Sequence, residues 1–147
     1  MGSTYFSLHY HVVFSTKCRR PFIRASWRNR LHEYLGGTIR GLSGVAEKVG
    51  GVEDHVHLLL SLGTTNAPAD LVREIKKASS NWVAAQFDQV FAWQEGYSIF
   101  TVSYTHTTRL RRYIANQEEH HRKLPFVEEL ERLLKKNGVQ YDPKYLV

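Results

Sequence analysis

Every even position from Phe6 to Phe14 is large and apolar: Phe6, Leu8, Tyr10, Val12 and Phe14. The odd positions Ser7, His9, His11 and Ser15 are polar, with Val13 the exception. An extended strand sends alternate side chains to opposite faces, so this pattern asks for a strand with one buried face. The same period returns where Val56, Leu58, Leu60 and Leu62 alternate with His55, His57, Leu59 and Ser61. Residues 45–49 and 98–103 read as two further strands, with Gly50-Gly51 as a turn after the first. Helical spacing separates them. Ser26 is an N-cap candidate for a helix carrying Trp27, Leu31, Tyr34 and Leu35, its end loosened by Gly36, Gly37 and Gly41. Asn66-Ala67-Pro68 opens a second helix whose stripe is Leu71, Ile75, Ala78 and Trp82. Thr107 or Thr108 opens a helix over about 107–121, and Pro125 opens another over about 125–137, closed by Gly138. The order is strand, helix, strand, strand, helix, strand, then two helices. This is the split βαβ pattern of an α+β, ferredoxin-like (RRM-like) antiparallel sheet with its two crossover helices on one face. The other face is left for a ligand or for the added C-terminal helices. With 147 residues, the chain reads as one domain over 1–147.

Lys and Arg total 20 against 14 Asp and Glu, a formal net charge of +6, which favours polyanionic partners. The single cysteine, Cys18, excludes a disulfide scaffold and suits a reducing cytoplasm. The longest nearly apolar stretch, Val56 to Leu62, is too short to span a membrane, and the alternation of residues 1–15 is unlike a secretory signal.

Eight histidines are the chemical signal. His55 and His57 are two apart on a strand, so they share a face roughly 6–7 Å apart and can converge on one metal ion. Ordinary hydrogen-bonded histidines on a partly exposed strand are the alternative. His9 and His11 have the same spacing, and a ferredoxin-like sheet makes their strand the neighbour of the first pair. A supporting role beside the site suits them. In Arg109–His121, Tyr113 and Gln117 are four apart and lie on one helical face, flanked by Asn116 and His120. A tyrosine nucleophile needs help, since its phenol titrates near pH 10, and a metal that polarises the electrophile supplies it. A half-buried structural tyrosine is the alternative.

His55-Val56-His57, followed by Leu58-Leu59-Leu60, resembles the His-hydrophobic-His motif of HUH endonucleases. Tyr113 to His121 is similar to the catalytic helix of the single-tyrosine transposases of small bacterial insertion sequences. Tyr10–Lys17, Ile75–Ser80 and Trp93–Tyr97 agree with that family, and the motifs fall in its order along nearly the whole chain. The resemblance implies that His55, His57 and Gln117 hold a divalent metal, Mg²⁺ or Mn²⁺, and that Tyr113 is the nucleophile. Imidazoles suit Mn²⁺ better than Mg²⁺. It further implies single-stranded DNA as substrate, in the hairpin ends of a mobile element, cut and rejoined through a 5′-phosphotyrosine. A homodimer is implied too, the tyrosine helix of one chain completing the histidine site of the other.

Three basic clusters offer phosphate contacts: Lys17, Arg19, Arg20 and Arg24; Arg73, Lys76 and Lys77; Arg109, Arg111 and Arg112. Trp27, Trp82 and Trp93 are candidates for base stacking, although Trp27 and Trp82 fall on apolar helix stripes. A non-catalytic RRM-like nucleic-acid-binding module is the rival from another class, but it leaves His55, His57, Tyr113 and Gln117 without a purpose. A domesticated nuclease acting on repeats is the rival within the family.

Overall fold

The computed structural model describes residues 2–146. Strands β1 (His9–Ser15), β2 (Val45–Gly51), β3 (His55–Ser61) and β4 (Ser98–Val102) form one sheet of order β2-β3-β1-β4, antiparallel at every pairing. Helix α1 (Arg28–Gly41) joins β1 to β2, and α2 (Pro68–Gln86) joins β3 to β4. This is the ferredoxin-like arrangement that the alternation implied.

The register explains why the pattern is strict on one side. Val12 lies opposite Leu58, Phe14 opposite Val56, and Tyr10 opposite Leu60. These residues point towards α1 and α2 and pack with Leu31, Leu35, Ile39, Leu71 and Ile75 in the main core. Val13 and Leu59 break the alternation because the second face is covered as well. Helices α3 (Thr107–Ala115), α4 (Gln117–His121) and α5 (Phe126–Lys136) fold back over it. Val13 there joins Phe100, Phe126, Leu130 and Leu134 in a second, smaller cluster.

Several expectations shift. Helix α1 begins at Arg28, with no side-chain cap from Ser26, and continues through Gly36 and Gly37 to Gly41. Gly50-Gly51 is the end of β2 rather than a turn. A Cβ on Gly50 would lie 2.5 Å from the Ile114 carbonyl oxygen, so this glycine lets α3 seat directly on the strand. The helix expected over 107–121 is broken at Asn116 into α3 and α4. None of the helices among the described residues is long and apolar enough to cross a membrane.

Candidate active site

The centre of β3 supplies the first two groups. Val56, Leu58 and Leu60 are anchored in the main core, so His55 and His57 must project together on the other face. Both are fully buried, at 0% exposure. Each turns Nε2 inward and has Nδ1 held from behind. His55 Nδ1 lies 2.7 Å from Asp54 Oδ1. His57 Nδ1 lies 2.7 Å from His11 Nε2. Rings fixed in this way at the rear present their second nitrogens to a common point, as metal-binding imidazoles do.

Helices α3 and α4 supply the next groups. The break at Asn116 turns the chain as α3 leaves Gly50, and Gln117 enters the interior at 1% exposure. Gln117 Oε1 accepts from His55 Nε2 at 3.0 Å, and its Nε2 donates to Glu129 at 3.1 Å. Tyr113, one turn earlier, sets its ring edge-on to His57, with centroids 5.7 Å apart. His120 Nε2 comes within 3.5 Å of the tyrosine oxygen. Tyr113, Gln117, His55 and His57 therefore meet in one place. They meet here within a single chain.

The group the sequence did not single out is Glu129. It lies on the buried side of α5, between Phe126 and Leu130, and its side chain closes the cluster. Oε1 accepts from His57 Nε2 and His121 Nε2, each at 3.0 Å, and lies 3.2 Å from His55 Nε2. Oε2 accepts from the Tyr113 hydroxyl and from Gln117. A trace of this is visible in the sequence: a carboxylate stands three residues after Phe126, on the side that Leu130, Leu133 and Leu134 make apolar. His121 joins the cluster by the same route.

The electrostatics follow from burial and this web of contacts. Burial opposes a charge on Glu129, but hydrogen bonds from His121, His55 and His57 outweigh it and hold the carboxyl far below its ordinary range. Burial likewise opposes a proton on His55, yet the bonds to Asp54 and Glu129 prevail and raise it to about 9. Burial wins at His57, lowered to about 4, and at His11, lowered to about 3 with His57 beside it. A neutral His57 that donates from Nε2 to Glu129 must accept at Nδ1 from His11. Burial and the neighbouring Glu129 push the Tyr113 phenol well above its usual range, so its hydroxyl keeps its proton at neutral pH.

The remaining candidates scatter. His9 stands apart, its Nδ1 2.8 Å from Glu47. Asn116 is exposed at the helix break. Lys17 and Arg20 are exposed in the turn after β1, and Arg19 lines a cavity of about 430 Å³ with Asp54 and His121. Arg73, Lys76 and Lys77 sit on α2, across the sheet from the site. Lys76 is committed to structure: its ammonium donates to the carbonyls of Gln94 and Gly96, each at 2.7 Å. Arg73 pairs with Asp70. Arg112 is exposed in the last turn of α3, and Arg109 lines a cavity of about 470 Å³ beside Tyr113. Phe100, His106, Arg132 and Lys136 also line that cavity, giving it an apolar floor and a cationic rim. The tryptophans are not free to stack bases. Trp27 stacks on Phe87, Trp82 on Tyr34, and Trp93 packs edge-on to Phe14.

The model of the family described as "Transposase IS200 like" matches residues 4–117, which include the histidine pair, the tyrosine and the glutamine. This chain belongs to the IS200-like transposase family. The ISDra2 transposase TnpA of Deinococcus radiodurans is 28% identical over 123 residues, covering 78% of this chain and 86% of the relative. The fold is shared with solved structures. A Deinococcus radiodurans protein described as a transposase superposes with a TM-score of 0.64 at 24% identity, over 80% of this chain and 96% of that one. The REP-associated tyrosine transposase bound to a REP hairpin gives 0.60 at 14% identity, over 82% and 74%. The IS200-like match ends at Gln117, so α5 and Glu129 lie beyond it.

Proposed function

We propose that this IS200-like transposase cleaves and rejoins single-stranded DNA with Tyr113 as nucleophile and a divalent cation, Mg²⁺ or Mn²⁺, held by His55, His57 and Gln117. The observation that carries the reading is the meeting of Gln117 Oε1 with His55 Nε2, 3.0 Å apart, one helical turn from the Tyr113 hydroxyl. The donor set fits a cation. Two imidazoles fixed at Nδ1 and an amide oxygen face one buried point, and His55, His57, His121 and Glu129 each offer a ligand atom within 4.8 Å of the others. When bound, the cation would draw charge from the scissile phosphate and make its phosphorus a better electrophile.

The chain's own residues do the rest. The Tyr113 proton passes to water, and the phenol oxygen attacks phosphorus in line. The bond from phosphorus to the 3′ oxygen breaks, that oxygen takes a proton, and a free 3′-OH leaves. The 5′ phosphate is then esterified to Tyr113, so a 3′-OH can later reverse the step without ATP. His11 and Asp54 fix the two rings. Arg109, Arg132 and Lys136 line the cavity next to Tyr113 and would steer the backbone of the strand towards it.

The reading extends to a hairpin end of a mobile element as substrate, supported by the hairpin bound to the REP-associated relative. Two copies acting as a homodimer would handle two strands. Each copy would carry one histidine pair and one tyrosine helix, and the helix would complete the histidine site of its own chain or of the partner's. A cytoplasmic setting agrees with the exposed free Cys18. The rival RRM-like module reads bases on an open sheet face, and here α3, α4 and α5 cover that face.

The test is covalent. Wild-type protein, Mn²⁺ and single strands copied from the flanks of its gene should give an SDS-resistant protein–DNA adduct. Tyr113→Phe should abolish the adduct while DNA binding persists. An adduct that survives this substitution would place the nucleophile elsewhere.

A further inference from the structure

We propose that Glu129 is itself a ligand of the divalent cation, supplying through Oε1 the only negative charge in the coordination sphere contributed by the chain. The inference rests on the proposed metal site at His55 and His57 and adds to it a residue from α5, outside the segment matched by the family.

Geometry is the first support. Ligands of an octahedral ion at about 2.1 Å stand about 3.0 Å apart along each edge. Glu129 Oε1 lies 3.0 Å from His57 Nε2 and 3.2 Å from His55 Nε2, and Gln117 Oε1 lies 3.0 Å from His55 Nε2. These distances suit donors gathered round one ion, and they are also the lengths of ordinary hydrogen bonds, which hold the donors together until an ion replaces the shared protons. The four donors come from three separate elements, β3, α4 and α5.

Charge is the second. His55, His57 and Gln117 are neutral as ligands, so they alone would leave a full +2 in a buried site. Desolvating such a charge is costly unless an anion accompanies it. Glu129 reduces the net charge to +1 and leaves the remaining balance for a DNA phosphate. Mg²⁺ and Mn²⁺ also prefer carboxylate oxygen to imidazole nitrogen, so the acid makes the site suit those ions.

Placement is the third. Glu129 is 1% exposed on the apolar side of α5, flanked by Phe126 and Leu130. A leucine there would pack without the cost of burying a carboxylate. His121 donates to Oε1 from the end of α4 and aims it, as partners behind a ligand do. The last helix thus ends the site as well as the fold.

The experiment is Mn²⁺ titration of the full metal-stripped chain, following free Mn²⁺ by its EPR signal. Wild type should bind one ion. Glu129→Gln, which keeps the shape but removes the charge and turns one of the two acceptor oxygens into a donor, should weaken binding about tenfold or more. Circular dichroism reports whether the variant folds. A second measurement avoids the variant: wild type labelled with ¹³C at glutamate carboxyls should show a ¹³C hyperfine coupling to bound Mn²⁺. Unchanged or tighter binding by Glu129→Gln, or no ¹³C coupling, overturns the proposal and makes Glu129 a side chain that merely occludes the site. His57→Ala separates the two levels. If it binds Mn²⁺ as wild type does, the metal site itself is misplaced. If it loses the ion while Glu129→Gln keeps it, only the role of Glu129 falls.

Discussion

The two faces of the sheet are made from the same strands and have opposite chemistry. On the face towards α1 and α2, Val12, Phe14, Val56, Leu58 and Leu60 close an apolar core in which no side chain needs a particular partner. On the face towards α3, α4 and α5, His11, His55, His57, Gln117 and Glu129 are as deeply buried, yet each depends on named neighbours. Burying polar groups is costly unless every one is bonded. The first face therefore supplies stability and rigidity. The second uses that rigidity to hold groups that a protein selected only for stability would replace. His55 and His57 stay in place because Val56 and Leu58 cannot move.

The comparison assumes that the helices over the polar face belong to the same chain, and this is where it could break outright. The shared-site dimer implied by the family resemblance would take α3 and α4 from a partner. Mixing Tyr113→Phe chains with His55→Ala chains decides the matter. With Tyr113 and Gln117 on their own chain's histidines, every site in a mixed dimer would carry one lesion and adduct formation would stay absent. Recovered adduct in shown heterodimers would mean that the covering helices exchange between chains.

A smaller effect sharpens the division of labour. Leu58 is fully buried on the apolar face, so Leu58→Ala should cost about 2–5 kcal/mol in denaturant unfolding. The increment in stability that saturating Mn²⁺ adds should match that of wild type, because a ligand bound only to the folded state stabilises by its own affinity. A lost increment would show that the two faces are not independent, and that the metal-site geometry follows packing behind the strand.

What the sequence made legible was the face with a period. Alternation in β1 and β3 and helical spacing in α1 and α2 are local, and they gave the sheet, its order and the direction of His55 and His57. Val13 and Leu59 interrupt the alternation because α5 and α3 cover the second face, a reading available only once those helices are placed. Glu129 was missed for a related reason: 72 residues separate it from His57 in the chain. No spacing rule connects an acid on a last helix to a strand in mid-chain. Gly50-Gly51 looked like a turn because a glycine needed for close approach has the same spelling as one needed for a bend.

The basic clusters mark the smallest effect and separate residues that the sequence ranked alike. Lys76 lies on α2, behind the apolar face, and its ammonium is held by the carbonyls of Gln94 and Gly96. Arg109 is exposed on α3 and lines the cavity next to Tyr113. Each phosphate contact releases counterions, so losing one should lower the slope of log affinity against log salt by about 0.7 for a single strand. Arg109→Ala should therefore weaken binding of a single strand by a modest factor at low salt and flatten that slope. Lys76→Ala should leave the slope unchanged and lower thermal stability instead, since two backbone carbonyls lose their donor. Fluorescence anisotropy across a salt series measures both. If Lys76→Ala flattens the slope as Arg109→Ala does, DNA reaches around to the helix side, and the apolar face is not merely support for the polar one.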